Sequence, residues 1–189
     1  MVPDLAQTLA GLRKTLVEIV LPELRDPFAV EQLKTVVGAI GHLETVHEEI
    51  YPYEWTEHRE YVRFLECLRS AFLPMATDVE GRALLAEVEE RLPQGRSDAR
   101  LPSLGTLRRE NLWMKSAVSR IAVGPLRRAA GEAWAREVDA ELRELLRRQV
   151  ARERAWIKQA GVDPRSGEAR DLKALLFCTE EESDAQSTR

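Results

Sequence analysis

Glu44 and His47 stand three residues apart in a stretch of helical spacing, so a helix there would project both from one face. That is the spacing with which carboxylate-bridged helical bundles hold a pair of iron or manganese ions. Such a centre also needs a second Glu-x-x-His pair and carboxylates on two further helices. The other histidines are His42 and His58, and neither has a glutamate three residues before it. His42 and His47 are five apart, about 140° around a helix, so one ion does not readily take both. The expected reading of Glu44 and His47 is a polar helix face, with a small metal-binding bundle enzyme as the alternative.

Nucleophilic chemistry has less to stand on. Cys67 lies next to the apolar row of its helix and reads as a small core residue, and no spacing of serine, histidine and acid here implies a triad. Cys67 and Cys178 are far apart, and neither has a second cysteine at the spacing of a zinc knuckle or redox pair. Neither the phosphate loop G-x-x-x-x-G-K-[ST] nor the dinucleotide fingerprint G-x-G-x-x-G occurs. No catalytic residue, cofactor or metal ligand is therefore assigned, and the chain reads as non-enzymatic.

Two sets of residues look suited to contact. Between His47 and His58, Tyr51, Tyr53 and Trp55 cluster among acidic residues around Pro52, as anchoring aromatics do at interfaces or at the end of a core. Towards the C-terminal end, Arg143, Arg147, Arg148, Arg152 and Arg154 crowd one helix. Like charges four apart destabilise a helix slightly, and Glu141, Glu144 and Glu153 are placed to offset them. A solvated mixed-charge face is the default. A docking surface for an acidic protein patch or a phosphate-bearing ligand is the sharper alternative.

The elements that must carry these residues follow from apolar spacing. A first helix is expected over residues 4–24 (Leu5, Leu9, Leu12, Leu16, Ile19, Val20), its last turn loosened by Pro22. Asp26-Pro27 is a helix-start pair. The second helix carries Val30, Leu33, Val37, Ile40 and Leu43 to about residue 50, with Gly38 and Gly41 suggesting a close helix crossing. Pro52 is expected to end it, and Thr56 to cap a third helix with Tyr61, Leu65, Leu68 and Phe72 inward. A fourth helix spans about 78–92, followed by a loop at 93–103. A fifth spans 104–123, with Leu107, Leu112, Val118 and Ile121 inward, broken by Gly124 and Pro125. The last long helix, about 125–160 and roughly 50 Å long at 1.5 Å per residue, carries Trp134, Val138, Leu142, Leu145 and Ile157. The run 172–177 can add a short helical turn, and 179–189 has a composition that does not support a core.

The result is an all-α chain: one bundle of about six helices with a long C-terminal helix over residues 1–162, and a tail over 163–189. Its 189 residues are 44% hydrophobic, enough for one sizeable core. A net charge of −4 gives no positive field to gather polyphosphate, which argues against nucleic acid as a partner. A helical transcriptional regulator is kept only as a further alternative. No apolar run approaches the ~20 residues of a membrane span, and the start of the chain lacks the pattern of a signal peptide. The expected location is the cytoplasm.

The stretch Val20-Leu21-Pro22-Glu23-Leu24-Arg25-Asp26-Pro27-Phe28-Ala29, with Gln32 and the apolar face to Leu43, resembles the opening of a group of small bacterial helical proteins. Those proteins are encoded beside acyl-CoA dehydrogenases and aminoglycoside-phosphotransferase-like kinases. Arg109-Glu110-Asn111 resembles a later segment of the same group. The resemblance covers about a quarter of the chain, on structural positions. It implies an accessory subunit supporting a phosphotransferase-type kinase or an acyl-CoA enzyme, with a protein partner, whether a second copy or a different enzyme.

Overall fold

A computed structural model describes residues 4–72, 79–92, 101–158 and 166–177, and among these the chain is helical with no strand. The chain divides into two compact units, Met1–Ile50 with Ala151–Arg189, and Tyr51–Val150. One of these units is discontinuous in sequence and the other continuous. The expected weak point at 93–103 is not the division. Residues 93–100 lie outside the described residues, as do the expected ends at Pro74 and Ala160, Cys178 and the 179–189 segment.

In the discontinuous unit, Asp4 starts helix α1 (Leu5–Thr15) by a reciprocal cap: its carboxylate accepts the Gln7 N–H at 2.7 Å, and the Gln7 side chain accepts the Asp4 N–H. The chain then widens into a π turn over Leu16–Val20, where the Leu21 N–H donates to the Leu16 carbonyl, and continues as α2 (Leu21–Glu23). Pro22 accounts for the widening, because a proline ring in a regular α-helix strikes the carbonyl four residues earlier. Asp26 then caps α3 (Pro27–Val46), accepting the Phe28 N–H at 3.1 Å with Pro27 at the first helical position.

α3 passes through both of its glycines. A Cβ built on Gly38 would meet nothing within 4 Å, and one on Gly41 only the Arg13 side chain at 3.9 Å. Among the described residues, no close helix crossing forms at either glycine. A 3-10 turn (His47–Glu49) follows, and the unit is completed by the end of α7 and by α8 (Leu172–Phe177), whose Leu172 is buried.

The continuous unit holds the main core. α4 (Ile50–Phe72) begins before Pro52, correcting the expected break: the first N–H groups of a helix have no acceptor within it, so a proline in the first turn sacrifices nothing. Thr56 is consequently inside a helix rather than capping one. α5 (Val79–Arg91) and α6 (Leu104–Ile121, capped by Ser103) pack with α4 and α7 (Ala133–Ile157). Leu65, Leu68, Val88, Met114, Val138 and Leu145 are almost wholly enclosed.

Three inward assignments are corrected. Leu112 is 72% exposed, because it lies about 130° round the helix from the centre of the buried row Leu107-Asn111-Met114-Val118. Ile157 and Cys67 are likewise exposed. Nor do Gly124 and Pro125 break the helical path: they lie in a second π turn (Ala122–Leu126), and the break comes at residues 129–132. α7 therefore has 25 residues, against 23 in α4, and is not exceptional in length.

Glu87 on α5 ties that helix to α6. Its carboxylate accepts the Trp113 indole N–H at 2.9 Å and pairs with Arg120 at 2.8 Å, while the Arg91 guanidinium lies 4.7 Å from the Trp113 ring centroid. The indole hydrogen bond first, and then Arg120, hold the Glu87 carboxyl below its ordinary value. A carboxyl lowered in the folded state adds stability above the unfolded value, and that contribution fades as pH falls through the folded one. Glu87→Gln should thus destabilise the protein at pH 7 and fall short of the wild type by less at about pH 3, as protonation of the carboxyl sets in. Denaturant titrations at the two pH values measure this, and an equal deficit at both would refute it.

Candidate functional site

A set of polar side chains converges on a seam between α4 and α6. On α4, Tyr51, Glu54, His58 and Tyr61 recur at intervals of three and four and run into the buried Leu65 and Leu68, so they share that helix's inward face. On α6, Asn111 occupies the row of Leu107 and Met114. Helical phase therefore carries these polar side chains inward, and each must find a partner there.

The partners come from the facing helix. Asn111 Nδ2 donates to the Glu54 carbonyl oxygen at 3.0 Å and to Glu54 Oε2 at 2.9 Å, and Arg108 Nε approaches Glu54 Oε1 at 3.0 Å. Glu57, 2% exposed, pairs with Lys115 Nζ at 2.8 Å. His58, 5% exposed, donates from Nε2 to Glu110 Oε2 at 2.8 Å and stacks on Trp55, the rings 5.9 Å apart and 2° from parallel. Tyr61 donates its hydroxyl to Gln149 Oε1 on α7 at 2.7 Å, and Tyr51 to the Pro102 carbonyl at 3.0 Å.

A histidine held by a carboxylate is half of a general-base pair. Here, however, the acids, amide and cations mainly satisfy one another across two helices. Such a network fixes the register of α4 against α6, because sliding either helix would strand several buried groups at once. The aromatic set is divided by this arrangement. Tyr51, Tyr53 and Trp55 are half-buried in the first turns of α4, with Tyr51 and Trp55 engaged by Pro102 and His58, so they sit in a helix rather than in the expected connection.

Glu44 and His47 do not present one chelating face. Glu44 Oε2 turns to Arg13 Nε at 2.8 Å, and His47, past the end of α3, sets Nδ1 3.1 Å from the Glu44 carbonyl oxygen. His42 meets the edge of Trp156 at 6.1 Å. Among the described residues no group of three or more His, Cys, Asp and Glu is arranged to hold a metal ion.

The arginines separate by burial. Arg143 and Arg147 have side chains 68% and 71% exposed and pair within α7, with Asp139 and Glu144, each at 2.8 Å. Arg148 is drawn to Glu60 at 3.2 Å and to Glu144 at 3.7 Å, so it helps hold α4 to α7. Arg152, 2% exposed, is packed inside and belongs to no surface, which removes it from the expected docking set. Sequence reasoning missed Leu146 and Val150, exposed at 46% and 53% beside Arg143 and Arg147. Their signal was an apolar spacing of four about 90° round α7 from the row of Val138, Leu142 and Leu145.

The class of protein so defined is an all-α chain with an internal polar lock and an exposed, arginine-flanked helix face. No described helix is long and apolar enough to cross a membrane. No protein-family model, curated protein or solved structure matches the chain.

Proposed function

We propose that this chain is a non-enzymatic accessory subunit that docks another protein through the exposed face of α7. The observation that carries this reading is the patch of Leu146 and Val150 bordered by Arg143 and Arg147. Two aliphatic side chains at that exposure are apolar area that a partner would remove from water, at roughly 25 cal/mol per Å². Among the described residues, the arginines flanking them are held by pairs on their own helix, each worth about 0.3–0.5 kcal/mol. A partner's carboxylates can take those guanidinium forks over at little cost, and bidentate pairing would give the contact its orientation.

The partner that fits is an amphipathic helix or patch with aliphatic residues flanked by acids. The resemblance in residues 20–43 points to a phosphotransferase-type kinase or an acyl-CoA enzyme as the protein carrying it. Co-expression with the products of neighbouring genes tests this. The wild type should co-elute with one of them on size exclusion, and Leu146→Asp with Val150→Asp should abolish co-elution while the far-ultraviolet spectrum is unchanged. Wild-type protein eluting without any of them would sink the reading.

A further inference from the structure

In the discontinuous unit, α8 is held at two levels. Its base is tied first. A 3-10 turn (Ser166–Glu168) leads into it, and Lys158, just past the end of α7, donates from Nζ to the Ala169 carbonyl oxygen at 2.9 Å. Asp171 then starts the helix, its carboxylate accepting the Ala174 N–H and its carbonyl oxygen the Leu175 N–H, each at 3.2 Å.

Beyond that base the hold is slight. Leu172 is the one buried residue of the six in α8, whereas Lys173, Ala174 and Phe177 are exposed. Six residues do not sustain a helix in water, where about 12–15 are needed. α8 is therefore helical only while Leu172 and Lys173 keep it against the unit.

What Lys173 grips is an enclosed charge. Its Nζ lies 3.2 Å from Oε1 of Glu49, in the 3-10 turn that follows α3. Glu49 is 5% exposed, and its other oxygen, Oε2, is buried with no hydrogen-bond partner. A carboxylate taken out of water needs donors on both oxygens to recover its hydration, and among the described residues this one has a single ammonium. The Lys173 side chain is itself 65% exposed, so it stays hydrated whether or not it makes the pair.

Lifting α8 thus acts oppositely on its two holds. Leu172 loses its burial, and Glu49 regains water on both oxygens. The ammonium decides between them: with it the enclosed carboxylate is compensated, and without it the bare charge drives the segment off.

We infer that α8 is a releasable strap, hinged at Ala169 and latched by Lys173 on Glu49, and that loss of the positive charge at Lys173 opens it. Opening detaches and melts the helix in one step, because the same two residues do both. It hydrates Glu49 and frees the run from Leu172 to Phe177. The strap uses none of the residues of the α7 docking face and stands apart from that reading.

Residue-resolved amide hydrogen exchange on the full chain tests this. In the wild type the Leu175, Leu176 and Phe177 amides should exchange about 10–100-fold slower than in an unstructured chain, yet far faster than the amides around Leu65 on α4, as a local opening requires. Lys173→Met keeps the aliphatic stem and a similar helix propensity. It should bring the three amides to within about 2-fold of the unstructured rate, while unchanged exchange on α4 shows that the fold is intact. Adding Glu49→Gln should restore most of the protection, since a neutral amide needs no ammonium. Lys173→Arg, which keeps the charge, should leave the amides protected. Wild-type amides at the unstructured rate, or as slow as those of α4, overturn the inference, because the strap is then never closed or never opens by itself. So does protection that survives Lys173→Met, or that stays lost when Glu49→Gln is added, since the latch is then not this ion pair.

Discussion

Leu65→Ala should cost the protein about 2–5 kcal/mol, the range for large-to-small changes in a closed core. Leu65 is fully enclosed on α4 among Leu68, Val88, Met114 and Leu145, all within 2% of complete burial, and helices held by many such neighbours do not collapse onto a gap. The loss has two parts: the hydrophobic transfer of the deleted carbons and the unfilled volume left behind. Guanidinium unfolding followed by tryptophan fluorescence measures it, with Trp55, Trp113 and Trp134 in the continuous unit. A loss below about 1 kcal/mol would mean that this core relaxes around the void, and the packing described for α4 would be wrong.

Lys115→Met should destabilise by about 2–3 kcal/mol, because it leaves the enclosed carboxylate of Glu57 without the ammonium 2.8 Å away. Methionine keeps the aliphatic stem of the lysine, so packing is nearly unchanged and the measured loss reports charge. Complete burial of both partners would give more, but the Lys115 side chain is 38% exposed, and water already screens part of the attraction. Adding Glu57→Gln in the same chain should restore most of the stability, since a neutral amide has no charge to desolvate. A single variant within about 0.5 kcal/mol of wild type, or a double variant no better than the single, would show that the pair does not govern this part of the seam.

The apolar rows were readable because helical phase and hydrophobicity agree in them. Tyr61, Leu65 and Leu68 on α4, Leu107, Val118 and Ile121 on α6, and Trp134, Val138, Leu142 and Leu145 on α7 are all inward as their spacing predicts. Asp26-Pro27 was equally plain, because both residues act locally at a helix start. Proline misled twice. Its cost depends on its place in a turn, and neither Pro52 in a first turn nor Pro125 in a π turn breaks the path it was expected to end.

The seam was hidden for a different reason. Glu57, His58 and Asn111 are polar, and polarity alone sends a residue to water. The signal lay in continuity, since Asn111 interrupts an apolar row and His58 extends one. Such polar insertions say that a helix face continues inward, while the partner that satisfies them is fixed only when the second helix is placed. The arginines of α7 fail to resolve for the same reason: Arg143 and Arg152 are one residue type on one helix, and only packing separates the exposed from the enclosed.

The order of synthesis gives the division of the chain a kinetic meaning. The ribosome delivers Tyr51–Val150 as one uninterrupted stretch, so the polar lock and its surrounding core can close as soon as that stretch has emerged. The other unit must wait. Its helices α1 to α3 are made before that stretch, but the lysine that meets Glu49, the ring that meets His42 and the buried Leu172 are all made after it. Until then α1 and α3 stand without the contacts that complete their unit.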